Sequence, residues 1–367
     1  MKFHPKRWPF LVHRWLGIAL SWLFVCWFVS GMVMMYVGHP KLTEAERLAH
    51  LPPLQGQAVL SPQQALDAAG VHQPLAALRL AVSSGAQAVY FATPDTDGRM
   101  AGRKPQSAPP ILIDARTGQR LDSQPFDARH ALASAAAWAA EGAAAESTQA
   151  SPPAAVSYLG LVEEDAHTHS AALDAHRPLH HVQLHDAAGT QLYVSSRTGE
   201  VVRDATRSER GWNYLGSWLH WLYMFRGGAW DAWWAFIIDT LAALGCVAVL
   251  TGAAVGIWRW RFGQPYRTGR RTPFPQPMTR WHHISGMLFA LAACAWVFSG
   301  LMSMNPLGVF SSQAEPLQLE ALRGGPLLPG RAGEWAAPQA LLAAIGDEGA
   351  ETGEPPQGHW PQEETQP

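Results

Sequence analysis

The sequence predicts an α-helical membrane protein with three spans plus an external α+β domain built from two copies of one unit. Three observations predict it. First, apolar residues are concentrated in three blocks. Leu16–Val37 and Ile284–Met304 carry no charge, and Trp233–Trp258 carries only Asp239. Each block supplies the roughly 20 apolar residues that a helix needs to cross a bilayer. Second, the first and third blocks are written alike. His13-Arg-Trp-Leu-Gly17 opens one and His282-His-Ile-Ser-Gly286 opens the other; Trp27 and Trp296 follow at matching offsets, and Ser30-Gly31 and Ser299-Gly300 close them. Third, Ile111-Leu-Ile-Asp-Ala-Arg-Thr-Gly and Leu192-Tyr-Val-Ser-Ser-Arg-Thr-Gly repeat one another between the first two spans.

Composition sets the outer bounds. The 367 residues suffice for two or three modest units. A mean hydropathy near zero hides the three blocks. The net charge of −2 and the lack of basic stretches interleaved with aromatics outside the membrane flanks give no support for a nucleic-acid partner. Cys26, Cys246 and Cys294 all lie within the spans, where a thiol is a small apolar packing residue. The external segment therefore holds together without disulfides.

The first block follows Lys2, Lys6 and Arg7, as a signal peptide would. It is too long for a signal core and no small-residue cleavage site follows it, so it reads as a retained anchor. Residues 1–38 form the N-terminal segment and first span. Basic residues set the orientation: Arg14 joins the N-terminal group, and Arg259, Arg261, Arg267, Arg270, Arg271 and Arg280 mark the loop before the third span. Both regions are expected in the cytoplasm by the positive-inside rule. Residues 212–260 are then an interfacial segment and second span, 261–280 the cytoplasmic basic loop, and 281–305 the third span.

The external segment divides by its internal repeat. Residues 39–141 hold one unit at about 60–122 and the start of a second, which continues over 142–211. In the first, Ser61-Pro62 is a helix cap followed by proline at the first helical position. It opens a helix over Gln63–Ala69, before strands at Leu75–Val82 and Ala88–Thr93. In the second, Asp127 is placed to cap an alanine-rich helix, Ala128–Glu141, before strands at Leu179–His185 and Gln191–Val194. Each Arg-Thr-Gly joins two strands, with glycine where the backbone needs positive φ. Gly102–Pro110 and Gly142–Pro153 read as loops. Residues 306–367 form an external tail, with a helix opening at Pro338. After Gly346 the chain is rich in Glu, Gly, Pro and Gln, a composition expected to be disordered.

Histidines carry the candidate chemistry. His13 and His282 sit at the same end of two repeated spans, each with a glycine, Gly17 or Gly286, four residues on and so on the same helical face. A glycine there leaves room for something flat and wide, and histidine is a common axial ligand of haem iron. The plainer reading is an interfacial histidine solvated by headgroups; the matched pair favours haem. His283 points about 100° from its neighbour. Either could ligate, and the repeat alignment prefers His282. His220, in Trp218-Leu-His-Trp-Leu-Tyr223, is an interfacial residue or a ligand at the outer side. His39 ranks below it, because His39-Pro40 reads as chain leaving the membrane. Six histidines over His167–His185 could capture a metal, although polar positions on an exposed sheet are the more economical reading. Asp239 is a secondary candidate, as a proton relay or a hydrogen-bonding group between helices.

His13-Arg-Trp-Leu-Gly, Gly189-Thr-Gln-Leu-Tyr-Val with its Arg-Thr-Gly-Glu-Val turn, Trp218-Leu-His-Trp-Leu-Tyr and Arg280-Trp-His-His-Ile-Ser-Gly together resemble the PepSY-associated transmembrane family of bacterial inner-membrane proteins, over roughly residues 8–345. The resemblance implies haem b, one or two per chain, within the helical domain and periplasmic PepSY-like repeats between spans. His13, His282 and His220 match family motifs; His39 does not. It also implies a fourth span. Here Met304-Asn-Pro-Leu-Gly-Val-Phe instead opens an external segment, so the tail reads as a truncated second periplasmic domain.

The expected function is electron passage across the inner membrane to a periplasmic acceptor, a ferric siderophore or other ferric chelate taken up for iron. His13, His282 and His220 would ligate haem iron, with no catalytic acid or nucleophile. No glycine-rich dinucleotide fingerprint occurs in the cytoplasmic segments, so the donor is a quinol or a separate reductase. The other expected partners are membrane lipids, with a homo-oligomer one way to supply a missing span. The rival reading is a non-enzymatic, membrane-anchored PepSY module that binds or regulates a periplasmic protein.

Overall fold

A computed structural model of the chain describes residues 7–54, 58–83, 85, 87–95, 109–121, 125–146, 154–308, 310, 326–334, 338, 340 and 343. The expected loop over 102–110 and the tail beyond Gly346 lie almost entirely or wholly outside these residues. The chain divides into two units. One comprises Met1–His39 and Glu209–Pro316; the other comprises Pro40–Ser208 and Leu317–Pro367.

The first unit holds three long helices, each long and apolar enough to cross a membrane. They are α1 (Trp8–Tyr36), α6 (Trp234–Arg259) and α7 (Pro277–Ser303). α1 and α7 begin about two turns before the apolar blocks, and prolines at the first turn of each suit those starts. α6 packs against both. Its glycines permit this: a Cβ on Gly245 would lie 3.3 Å from Val297 of α7 and 3.5 Å from Phe24 of α1. Small residues at such positions let helices approach where no hydrophobic driving force separates protein from lipid.

The second unit contains two antiparallel sheets, each following a helix in sequence. α3 (Pro62–Ala68) precedes β1 (Leu75–Ser83), β2 (Gln87–Pro94) and β3 (Ile111–Asp114), paired in that order. α4 (Ala128–Glu146) precedes β4 (Val156–Val162), β5 (Leu179–Leu184), β6 (Gln191–Ser195) and β7 (Val201–Ala205), again in sequence order. Ser61 caps α3 with a reciprocal Gln64 contact. The Asp127 carboxylate accepts from the Arg129 and His130 N–H groups at 2.9 and 3.1 Å. α4 runs past the expected end at Glu141 to Glu146, because the alanines that follow Gly142 favour helix. Strand β4 was not expected; Gly160, at φ +145° beside a bulge, breaks its alternation. α2 (Glu44–Ala49) and α5 (Arg207–Asn213) were likewise not expected.

Both Arg-Thr-Gly turns form, with Gly118 at φ +74° and Gly199 at φ +68°. The first is held by the Asp114 carboxylate, which accepts from the Arg116 and Thr117 N–H groups at 2.7 and 2.9 Å. In the second, the Ser195 hydroxyl oxygen takes the same place for Arg197 and Thr198 at 3.2 and 3.1 Å. The first turn leads only to an isolated bridge between Ile113 and Arg120, where the second leads to a full strand. The second turn also joins the two halves of the unit. Ser83 and Ser134 donate to the Thr198 and Gly199 carbonyls, both at 2.7 Å, and Arg79 pairs with Glu200 at 2.8 Å. From the tail, Leu327 bridges to Leu75 through two backbone hydrogen bonds of 2.7 and 2.8 Å.

The first core clusters Leu66, Leu75, Tyr90 and Ile113; the second clusters Ala135, Trp138, Val182 and Leu192. Several polar groups inside are paired. The Asp165 carboxylate accepts from the Tyr193 hydroxyl at 2.7 Å and the Thr168 hydroxyl at 2.9 Å. Arg203, buried on β7, donates to the Pro40 and His167 carbonyls. The histidines over 167–185 are more integrated than an exposed sheet would make them. His180 is buried, bonded to the Phe126 carbonyl at 2.8 Å and the Tyr158 hydroxyl at 2.9 Å. Among the described residues no group of three or more His, Cys, Asp or Glu is placed to hold a metal ion.

One of these histidines is expected to give the domain an acid sensitivity. Burial pushes His176 below its ordinary value, with Arg79 and Arg197 adding to the effect and Glu200 opposing it. The unfolded chain therefore takes up a proton at a higher pH than the folded one. Stability tied to His176 is complete above the unfolded value near 6.5 and falls as the pH drops below it. His176→Gln is expected to flatten the dependence of the unfolding temperature on pH below about 6.5. An unchanged slope would remove His176 from this role.

Candidate functional site

The membrane unit brings histidines together at one end. His13 lies in the second turn of α1, and His282 in the second turn of α7. Their ring centroids are 6.1 Å apart, with an interplanar angle of 26°. The third helix positions His13 in two ways. Its Nδ1 lies 2.9 Å from the Ala248 carbonyl of α6. A carbonyl only accepts, so Nδ1 carries the proton and Nε2 keeps its lone pair. Metal-binding histidines are oriented by such a contact. Beside it, Gly252 makes room for the ring: a Cβ there would lie 2.5 Å from His13 Cε1 and 2.8 Å from Nδ1.

Gly17 and Gly286 have open space above them. A Cβ on either would meet no atom within 4 Å. Each glycine lies one helical turn from its histidine.

His283, the alternative ligand, is packed differently from its neighbour. It is only 7% exposed. Its Nε2 donates to the Gly256 carbonyl at 2.9 Å, and its Nδ1 accepts from the Thr272 hydroxyl at 2.8 Å. The edges of Trp260 and Phe274 enclose the ring. Both nitrogens are committed, so His283 fastens α7 to α6 and to the basic loop. The 100° turn between neighbours leaves His282 to face His13.

The opposite end holds a second arrangement, about 25 Å along α1 from the first. His220 follows a π-helical turn, Tyr214–Trp218, and packs on the end of α1. Its Nδ1 lies 3.0 Å from the Ser30 hydroxyl, which itself donates to the Trp27 carbonyl at 3.3 Å. If that contact is Nδ1–H donating to the serine oxygen, Nε2 keeps its lone pair. The Trp27 indole donates to the His220 carbonyl at 3.0 Å. Gly31 lets the ring approach, since its Cβ would touch His220 and Trp296 at 3.4 Å. Trp27, Trp296, His220 and Gly300 line one largely apolar pocket. The matching Trp27 and Trp296 of the two repeated helices thus both stand in its walls.

The remaining candidates are placed elsewhere. His39 bonds through Nδ1 to the Asn213 side-chain oxygen at 2.8 Å. Asp239 has one buried carboxylate oxygen with no hydrogen bond from any described residue. Sequence reasoning missed Gly252, Ala248, Ser30 and Gly31 as supports. A signal existed for the first: Gly252-Ala-Ala-Val-Gly256 puts two glycines at i and i+4 in an apolar span, a spacing that marks close approach.

The residues at the His13–His282 end fit a haem. A metal–imidazole bond is about 2 Å long, so two rings sharing one metal have centroids roughly 6 Å apart. No third His, Cys, Asp or Glu among the described residues completes a protein-only metal site. A closed zinc site needs four protein ligands, whereas a porphyrin brings its own equatorial nitrogens and takes one or two axial ligands.

Fold and site together define a three-helix membrane protein with paired histidines at one helix end and a strand-rich domain between its first two spans. The chain matches the family model of the PepSY-associated TM region over residues 10–366, and it belongs to that family. No curated protein and no solved structure matches it.

Proposed function

We propose that this chain is a b-type haem protein of the bacterial inner membrane that passes electrons to a periplasmic ferric chelate, such as a siderophore, in iron uptake. The observation that carries the reading is the His13–His282 pair, 6.1 Å apart and supported by Ala248 and Gly252. His13 and His282 would hold haem b near the cytoplasmic face, and His220 a second haem at the outer face. Bound haem supplies a one-electron carrier that the side chains lack. The protein's own contribution is position and surroundings. Ala248 orients His13, Ser30 contacts the His220 ring, and largely apolar walls surround the His220 pocket. Two sites at opposite ends divide a hydrocarbon layer of about 30 Å that one haem does not span.

On this reading the basic residues place the N-terminus and the 261–280 loop in the cytoplasm, and the helix-plus-sheet units are PepSY repeats in the periplasm. Electrons enter from a quinol or a separate reductase. The protein purified in detergent from haem-replete cells is expected to show a b-type reduced-minus-oxidised spectrum, with one or two haems per chain. Its reduced form is expected to be reoxidised by a ferric chelate. A haem-free protein would overturn the proposal and leave a membrane-anchored module that binds a periplasmic protein.

A further inference from the structure

We infer that Met304 is the second axial ligand of the outer haem, opposite His220; this rests on the haem reading above. The pocket at that end is walled by aromatic and aliphatic side chains, and His220 and Met304 both line it. Few of its side chains could donate to iron. The tryptophans offer an indole N–H, a donor without a lone pair for a metal. The Ser303 hydroxyl is engaged, donating to the Gly300 carbonyl at 2.7 Å. The His220 imidazole and the Met304 thioether remain.

Local sequence explains why the methionine is there. α7 ends at Ser303, and Met304 is its C-terminal cap. Asn305 adopts a left-handed φ of 51°, a conformation that asparagine tolerates better than most residues. Its side-chain oxygen accepts from the Phe310 N–H at 2.7 Å and holds the turn. Pro306 then has no N–H with which to extend the helix. The helix stop thus sets Met304 in the wall of the pocket that His220 also lines.

The chemistry suits the place. A thioether coordinates through a sulfur lone pair, releases no proton and brings no charge into an apolar pocket. A Met/His pair also raises the haem potential relative to two histidines. The outer haem then lies above the inner, doubly histidine-ligated one, and electrons run downhill toward the outer face.

Met304→Leu keeps nearly the same volume and is expected to fold. The oxidised wild type is expected to show the near-infrared charge-transfer signature of thioether-ligated iron, and its reduced outer haem to resist carbon monoxide. In Met304→Leu that signature disappears and the outer haem binds carbon monoxide, while the inner haem is unchanged. Met304→His keeps both haems six-coordinate and lowers the outer potential. If Met304→Leu leaves the signature, carbon monoxide resistance and potential untouched, the assignment is wrong. If His220→Ala leaves the haem content unchanged, or the wild type holds no haem there, it is the haem reading of the pocket that fails.

Discussion

Gly252→Ala is expected to strip most of the haem from the inner site while leaving the helices folded. The new methyl would sit 2.5 Å from His13 Cε1, a separation that non-bonded carbons do not tolerate. The obstacle is a side chain and not a backbone, so the cheapest response is for the imidazole to swing away. That movement breaks the bond to the Ala248 carbonyl and shifts the ring relative to His282. Loss of such a support typically costs roughly 10- to 100-fold in metal affinity. Stability should change little, because overpacking costs about 1–3 kcal/mol and replacing a helical glycine by alanine returns about 0.5–1 kcal/mol. Haem titration of the purified variant beside its thermal unfolding curve checks both parts. A variant that binds haem like the wild type would mean that His13 does not depend on this groove.

The second large effect belongs to the pair itself. His13→Ala and His282→Ala should each remove the same spectral component, and the double variant should remove nothing more. Ligands of one iron act as a unit, so their losses do not add. His283→Ala gives the contrast. It removes two hydrogen bonds, at 2.9 Å to Gly256 and 2.8 Å to Thr272, and empties a buried site. It should lower stability by about 1–3 kcal/mol, the usual cost of leaving buried polar groups unsatisfied, while the inner haem spectrum keeps its form. Two adjacent histidines would then be separated by function, one toward the cofactor and one toward the loop.

The fold was legible wherever local pattern decides it. The three spans follow from apolar length, the caps at Ser61 and Asp127 from their side-chain oxygens, and the two Arg-Thr-Gly turns from glycine's access to positive φ. Strand β4 was hidden because Gly160 and its bulge interrupt the period of two. The end of α4 was hidden because Gly142 reads as a stop, although the alanines beyond it carry the helix on. At the site, the repeat exposed His13 and His282, and the supports of His13 lie on a third helix far away in sequence. Ala248 contributes only a carbonyl, and a main-chain atom leaves no trace in residue type. The roles of Ser30-Gly31 became visible only once His220 was seen resting on them.

The central claim is that His13 and His282 share one iron. It is tested most directly by reduced-minus-oxidised spectra and haem counts for the wild type, His13→Ala, His282→Ala and the double variant, all purified in detergent from haem-replete cells. The account predicts that the three variants lack the same single haem and match one another, while the component assigned to His220 persists. Variants that lose different components, or that keep the wild-type haem content, would contradict it.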